Sequence, residues 1–357
     1  MHWTVAAPFT SDPRTDLWLT PFVPDAREHF TMIAAPARPS WHARSTRAAG
    51  WRDWAGTCVQ ANAAWRASRG GVITVFPQLA VVAGLRRRIA VRHKPLVAWC
   101  FNLGALYGGA KARLARTALR SVDRIVVHAR GEIARYSEWL DLERERFRFV
   151  RLQRAAIPIT VAEDGDRPFV LAMGSARRDY ATFLDAVRAA RLPAVIVAAR
   201  HALEGLEIPS HVEVRSGLTE DECRRLAQRA RVNVIPVVND ETASGQVTLL
   251  EALRMGRAVV ATRSLGSEDY VEHDRTGLLV PPRSVDALRD ALERVWQDAA
   301  LRARLGSAAW RFAEDHCSDT AAGAALGRVL REVEEGCSGA RKLSPARPER
   351  ARSAAHT

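Results

Sequence analysis

The sequence lacks several features that define common protein classes. It has 357 residues and five cysteines, whose spacing is that of neither a zinc site nor a disulfide framework. The longest apolar stretch, 96–110, is shorter than a membrane span and contains three glycines. The first residues, HWTVAAPF, read as a strand rather than as a signal peptide. We therefore expect a cytoplasmic protein without structural zinc.

Negative charge is scarce in the first half. Residues 1–160 hold 25 Lys and Arg against 11 Asp and Glu, whereas the remainder holds 28 against 29. The excess is densest between Arg86 and Arg120, where nine basic residues occur without an acidic one. Such a patch favours an anionic partner, and we expect an anionic membrane at the inner face rather than nucleic acid. With only three lysines in the chain, an arginine-rich composition and an ordinary solvated surface explain the patch equally well.

Two runs of alternating strands and helices predict an α/β protein with two domains, each a parallel sheet wrapped by helices. We place the first domain at 1–155, a turn-rich linker at 156–167 and the second domain at 168–316. A C-terminal helix at 317–335 is expected before a disordered basic tail at 336–357. Ligands of parallel sheets bind at the carboxyl ends of strands, so two domains favour a site in the cleft between them.

Common catalytic signatures are also missing, since the chain has no P-loop, GxGxxG, GxSxG or zinc motif. The loops that follow strands in the second half are therefore the candidates for chemistry. The main one opens SGQVTLLEALRMGRAVVAT at 244–262. We predict a helix capped by Ser244, with Val247, Leu250 and Leu253 on its apolar face, followed by a buried strand. Free N–H groups and a positive dipole end make such a helix start suitable for an anion.

Two further loops accompany it. Gly174-Ser-Ala-Arg-Arg-Asp-Tyr180 follows a predicted strand, and its paired arginines suit a diphosphate, with bidentate geometry available. Taken alone, these arginines are better explained as ordinary exposed side chains. The third loop, GSEDY at 266–270, leads into a predicted short helix at 267–272.

The order of these motifs resembles the second domain of family 4 glycosyltransferases. SGQVTLLEALRMGRAVVAT is followed by GSEDYVEHDRTGLLVPP and VDALRDALERVWQDAALRARLGSAAWRFAEDH, and the resemblance extends from about 168 to 330. In the first domain it rests on PLVAWCFN and DRIVVHARGEI. The resemblance implies the GT-B architecture: two Rossmann-like domains facing a central cleft, with C-terminal helices packing across both. It also implies a retaining enzyme that uses a nucleotide-sugar donor and neither metal nor cofactor.

The resemblance implies a donor site in the second domain. Glu251 matches the second glutamate of the family's E-x7-E motif, which binds the ribose. The position of the first glutamate is occupied by Ala243, while Asp240 and Glu241 lie near it but out of register. In the family the first glutamate contacts the donor sugar, and no residue of this sequence obviously takes its place.

The other implied site residues surround the diphosphate and the reacting sugar. Arg178 matches the basic residue that contacts the diphosphate and stabilises the leaving group, and Arg177 substitutes for a second basic residue. In the first domain, Asn102 stands where many relatives have a histidine, and His128, at the end of the next strand, is another catalytic candidate. The remaining residues expected to contact the donor are Gly174, Ser244, Gly245, Gln246 and Thr248.

We therefore expect a transferase that moves a sugar to a saccharide or lipid-linked acceptor, in cell-envelope or extracellular polysaccharide assembly. Two alternatives remain open: a nucleotide-sugar epimerase on the same fold, and a non-catalytic GT-B binding subunit. A phosphorylase using pyridoxal phosphate is disfavoured, because the second half has no lysine before Lys342 to form the Schiff base.

Overall fold

The first half of the chain forms a six-stranded sheet. The computed structural model describes residues 1–36, 50–238 and 242–342, with side chains to residue 336. The strands are β1 (His2–Ala6), β2 (His29–Ile33), β3 (Gly71–Val75), β4 (Leu96–Trp99), β5 (Arg124–Val127) and β6 (Phe147–Phe149). They lie in the order β2-β1-β3-β4-β5-β6 and every pairing is parallel. The helices are α1 (Trp51–Ala67), α2 (Pro77–Arg88), α3 (Gly109–Leu119) and α4 (Arg130–Leu140).

The second half repeats this plan. Its strands are β7 (Val170–Met173), β8 (Ala194–Val197), β9 (Val212–Arg215), β10 (Val232–Ile235), β11 (Val259–Thr262) and β12 (Leu278–Val280). They lie in the order β12-β11-β10-β7-β8-β9, again with every pairing parallel. The helices are α5 (Tyr180–Ala190), α6 (Glu220–Arg229), α7 (Gln246–Arg254), α8 (Val285–Gln297), α9 (Ala299–Cys317) and α10 (Asp319–Lys342). The predicted α/β architecture is confirmed.

Each sheet is buried on both faces, as the apolar strands require. VLAM of β7 and LVAW of β4 have no exposed residue, because helices cover parallel sheets on both sides. The last helix leaves the second domain and packs on the first. Leu326 and Leu330 of α10 are fully buried in one cluster with Trp3 and Trp99. At Gly323, an added Cβ would lie 2.4 Å from the carbonyl oxygen of Phe22, so this crossing depends on a glycine.

Three local predictions differ from the structure. The segment expected as a helix at 267–272 consists of turns and irregular backbone, because the Ser267 hydroxyl donates to Thr262 O (2.7 Å) and accepts from Ser264 N (2.9 Å). Val247 was expected in the apolar face of α7 but is 46% exposed. Helix α10 continues beyond the expected end at 335 to Lys342, and the rest of the tail lies outside the described residues.

Candidate active site

The carboxyl ends of the two sheets face each other across a cleft. After β4, Asn102 Nδ2 donates to the carbonyl oxygen of Ala243, which follows β10 (3.2 Å). After β5, the carbonyl oxygen of His128 accepts from Gln246 Nε2, at the start of α7 (2.7 Å). The predicted site residues Asn102 and Gln246 thus contact the opposite domain through their side chains.

Residues that follow β5 and β6 are also bonded to the second domain, through the loop after β11. At the start of α4, after β5, Arg130 N donates to Asp269 Oδ2 (2.7 Å), and its guanidinium pairs with the same carboxylate. After β6, Leu152 N donates to the hydroxyl of Tyr270 (2.8 Å). Asp269 and Tyr270 both lie in the loop after β11. The ends of β4, β5 and β6 therefore meet the loops after β10 and β11 in order.

Helix α7 begins at this cleft. Its N-cap is Gly245, with φ 79° and no side chain that could cap the helix, so the predicted cap by Ser244 is wrong. A Cβ at Gly245 would lie 2.8 Å from Ile235 Cγ2 and 2.9 Å from Val237 Cγ1, so the chain here lies directly against the end of β10. The first N–H groups of a helix have no intrahelical acceptor, and their dipoles give this end a partial positive charge.

The guanidinium of Arg178 is clamped beside this helix start. Its Nε donates to Met173 O (2.9 Å), Nη1 to Ala176 O (2.9 Å) and Nη2 to Thr248 Oγ1 (3.1 Å). These bonds use three of the five guanidinium N–H groups. Burial lowers the pKa of Arg178 from its usual value, but a guanidinium stays charged in a protein. The clamp holds a fixed positive charge with remaining donors between the loop after β7 and α7.

A glycine makes room for this clamp. Gly174 has φ 111°, and a Cβ there would lie 2.4 Å from Arg178 Nη2. Gly245 lies beside it, where a Cβ would be in ordinary contact with Arg178 Nη1 at 3.5 Å. The neighbouring Arg177 has φ 53°, and its carbonyl oxygen accepts from Val238 N (3.1 Å). The structure thus brings together Gly174, Arg177, Arg178, Gly245 and Thr248, which the sequence placed in two separate loops.

Glu251 lies about 9 Å along the axis of α7 from Gly245, taking the rise of a helix. Its side chain is nearly buried, and Oε1 lies 3.1 Å from Nη2 of Arg154 and 3.9 Å from Nη2 of Arg224. Arg154 follows β6 and Arg224 belongs to α6. A carboxylate between two guanidinium groups can accept hydrogen bonds from hydroxyl groups.

The ring of His128 does not support the predicted catalytic role. It is buried, with Nδ1 2.6 Å from Val150 O and Nε2 3.1 Å from Cys100 Sγ. Burial lowers the pKa of His128 to about 4, so the imidazole is neutral at ordinary pH. Only its carbonyl oxygen faces the cleft, where it accepts from Gln246 and from the hydroxyl of Tyr270 (2.8 Å). We leave the His128 side chain out of the site.

The sequence analysis missed a buried carboxyl group in the cleft. Glu132 of α4 is fully buried, and its Oε1 accepts from Tyr136 Oη (2.8 Å) and from Ala243 N (3.1 Å). Burial is the main cause that raises the pKa of Glu132 to about 7. The signal was present, because Glu132, Tyr136 and Leu140 recur at four-residue spacing and form the buried stripe of α4. Residues Asp240 and Glu241, also considered from the sequence, lie outside the described part of the chain.

Clusters of metal ligands and membrane-spanning helices are both absent from the described residues. Within them, no three His, Cys, Asp or Glu side chains are grouped so that they could hold a metal ion. None of the described helices combines the length and apolarity needed to cross a bilayer. Charge at the candidate site comes from Arg178, Glu251 and the start of α7.

The loops that build this site lie in a region with a matching family. Residues 167–298 match the family profile described as Glycosyl transferases group 1. The second domain is a glycosyl transferases group 1 domain. The predicted family resemblance is confirmed for this part of the chain, and the stretch includes Arg178, Gly245 and Glu251.

A transferase is similar to part of the chain. The chain is 33% identical over 87 residues to the alpha-D-kanosaminyltransferase of Streptomyces kanamyceticus. The aligned stretch makes up 24% of this chain and 22% of that protein. The chain therefore matches about a fifth of the length of that relative.

Solved structures match almost the whole chain. Sucrose-phosphate synthase from Thermosynechococcus elongatus superimposes with a TM-score of 0.70 at 15% identity, covering 94% of this chain and 100% of that one. The Anabaena protein HepE in complex with UDP-glucose superimposes with a TM-score of 0.64 at 14% identity, covering 95% and 99%. At such low identity the likeness concerns the fold alone. It confirms the predicted GT-B architecture of two facing domains.

Proposed function

We propose that the protein is a glycosyltransferase that moves a sugar from a nucleotide-diphosphate donor to a saccharide or lipid-linked acceptor. The observation that carries this proposal is the clamped guanidinium of Arg178 beside the start of α7 at Gly245, within a group 1 domain. Two independent sources of positive charge converge there on one small region. A diphosphate is the leaving group whose developing charge such an arrangement stabilises.

The proposed mechanism uses no nucleophile from the protein. As the bond between the sugar and the diphosphate breaks, negative charge grows on the departing phosphate oxygen. The remaining donors of Arg178 and the first amides of α7 stabilise that charge without having to reorient. The acceptor hydroxyl forms the new bond, and its proton leaves with the diphosphate. Attack on the same face of the sugar, with retention and without metal, is part of the proposal and is supported by the family resemblance.

The proposed donor lies along α7. Its diphosphate lies at Gly245, Arg177 and Arg178, and its ribose hydroxyls donate to Glu251. The proposed donor is a uridine or guanosine diphosphate sugar. HepE is described in complex with UDP and with UDP-glucose, which supports the uridine nucleotide. The kanosaminyltransferase supports transfer as the reaction. We place the activity in the cytoplasm, in the assembly of a cell-envelope or extracellular polysaccharide.

A thermal-shift panel of nucleoside diphosphates and their sugars tests donor binding. A donor that binds only the native state stabilises it by about 2.7 kcal/mol at a hundred times its Kd. We expect one nucleoside diphosphate to raise the melting temperature, and Glu251→Gln to weaken this rise more than it weakens the rise caused by pyrophosphate. A panel without any shift would contradict the proposal. Incubation with the donor sugar alone separates an epimerase, which would convert it without acceptor.

We also propose that the first domain contacts an anionic membrane. At the end of α2, Ile89 is 75% exposed and Val91 is 100% exposed, beside the exposed side chains of Arg88 and Arg92. Apolar side chains flanked by arginines suit a surface of anionic head groups over acyl chains. This combination favours the membrane over a merely solvated arginine-rich surface, because solvation does not explain the exposed Ile89 and Val91.

Flotation with vesicles containing phosphatidylglycerol is the test of membrane contact. We expect binding at low salt that decreases as ionic strength rises, since each arginine near the surface contributes about 1 kcal/mol. Arg88→Glu/Arg92→Glu should abolish it. Arg275→Glu/Arg311→Glu makes the same charge change on exposed arginines of the second domain and should leave it intact. Equal flotation of both double variants would refute this surface.

A further inference from the structure

Phe76 has a backbone conformation that its residue type disfavours. It follows β3 with φ 76° and ψ 151°, a region that glycine alone adopts easily. Its N–H is fixed to Trp99 O (2.9 Å), and Pro77 follows it as the first residue of α2. Burial of the ring does not explain the phenylalanine, because Phe76 is 40% exposed. A glycine would satisfy the backbone better, so the side chain itself requires an explanation.

The exposed ring has an aromatic partner. Phe9 follows β1, the strand beside β3, and is 49% exposed. The two ring centroids are 6.5 Å apart and the ring planes meet at 88°. Phe9 and Phe76 therefore form a right-angled corner of two partly exposed rings at the carboxyl edge of the first sheet.

Two more residues near the same edge have a left-handed backbone conformation. Cys100, directly after β4, has φ 50°. Trp18 has φ 52°, and its ring packs edge-to-face on that of Trp99 at 5.8 Å. Such a conformation is strained and persists only where the surrounding structure enforces it, which is typical of binding sites.

The strand order places this corner opposite the donor site. The ends of β6, β5 and β4 meet the loops after β11 and β10 in order, as described above. Continuing across both sheets in the same direction brings the ends of β3 and β1 opposite those of β7 and β8. Neighbouring strands are about 5 Å apart. The aromatic corner therefore faces the part of the cleft that holds the loop of Gly174 and Arg178.

We propose that Phe9 and Phe76 form a subsite that stacks on a saccharide ring of the acceptor. The C–H groups on one face of a sugar ring carry partial positive charge and match the negative face of an aromatic ring. The sugar's hydroxyl groups then point to the polar loop after Phe9, where Ser11 and Asp12 already bond to Asp16. The proposal rests on the proposed transferase function and assigns the acceptor half of that site.

Saturation-transfer NMR tests the subsite without requiring turnover. The probes are the octyl β-glycosides of glucose, galactose, mannose and N-acetylglucosamine, below their micellar concentrations. We expect transfer to the ring C–H protons of at least one glycoside, reduced about fivefold in Phe76→Gly and in Phe9→Ala and retained in Phe76→Trp. Absence of transfer to every glycoside, or equal transfer in wild type and Phe76→Gly, overturns the proposal. Transfer confined to the octyl chain assigns the corner to a lipid instead and also overturns it.

A stability comparison tests whether the side chain of Phe76, whose backbone is strained, serves binding rather than folding. Phe76→Ala keeps the unfavourable backbone and Phe76→Gly relieves it, so the glycine variant should melt about 2–4 °C higher than the alanine variant. Both variants should lose glycoside contact to the same extent. Glycoside contact that follows melting temperature instead would assign Phe76 to folding alone. Donor binding, measured by the nucleotide thermal shift, remains as in wild type, so failure of this subsite and failure of the transferase proposal give different results.

Discussion

Replacement of Arg178 by alanine is expected to lower sugar transfer by about 10²–10³-fold. The guanidinium is held by three hydrogen bonds beside the start of α7, so its charge is already in place when the diphosphate leaves. Removing such a preorganised donor costs about 2.7–4 kcal/mol of transition-state stabilisation. Arg178→Lys should recover only part of the rate, because an ammonium group cannot form the same fork of donors.

The measurement is release of nucleoside diphosphate from the donor identified by thermal shift, with donor at saturation. Arg188→Ala is the matched control, since it removes an arginine from the exposed face of α5, where Arg188 pairs with the surface residues Asp185 and Glu207. Circular dichroism and the melting curve report whether the Arg178 variants remain folded. A folded Arg178→Ala protein with the wild-type rate would remove Arg178 from the catalytic site.

Replacement of Glu132 by glutamine is expected to change how stability depends on pH. Burial raises the pKa of Glu132 from 4.5 to about 7, so the native state binds a proton more tightly than the unfolded state does. Wild-type stability should therefore fall as pH rises from about 4.5 to about 7 and be constant above that. A shift of this size corresponds to at most about 3 kcal/mol. Glutamine resembles the protonated carboxyl group, so Glu132→Gln should match wild type at pH 5 and exceed it at pH 8.

Urea unfolding at pH 5 and pH 8 is the corresponding experiment. Glu138→Gln provides the control, because Glu138 belongs to the same helix but is exposed. The difference between Glu132→Gln and wild type should grow with pH, whereas the difference for Glu138→Gln should stay near zero. A pH-independent difference for Glu132→Gln would mean that the buried group does not titrate in this range.

The secondary structure was largely accessible from the sequence because local signals agreed with the final packing. The start of α6 is an example, because Thr219 and Glu222 stand three residues apart and their side chains form a capping box. The start of α7 was not accessible in the same way. Ser244 has the better local capping chemistry, but Ile235 and Val237 leave space only for a glycine at the turn. That constraint comes from the end of another strand.

In the candidate site too, the features set by local sequence could be predicted and those set by distant residues could not. Glycines and arginines in two strand-end loops predicted the grouping of Gly174, Arg178 and Gly245, because parallel strands bring such loops to one edge. The sequence could not show that the His128 ring turns into the first domain, since that depends on Val150 and Cys100. The spacing of Glu132, Tyr136 and Leu140 indicated a buried stripe on α4. The sequence could not show which group Glu132 meets, because the amide of Ala243 belongs to the other domain.

The C-terminal helix that returns to the first domain determines how the cleft can move. The chain passes between the domains twice, once after β6 and once into α10, and the two passages are bonded where Arg154 N donates to Cys317 O (2.9 Å). Two connections fixed side by side allow bending about one axis and resist twisting about others. Glu251 contacts Arg154 and so lies beside this pivot. Phe76 follows a strand farther along the sheet edge, so opening about this pivot would move the proposed acceptor subsite through a larger arc than the proposed ribose position.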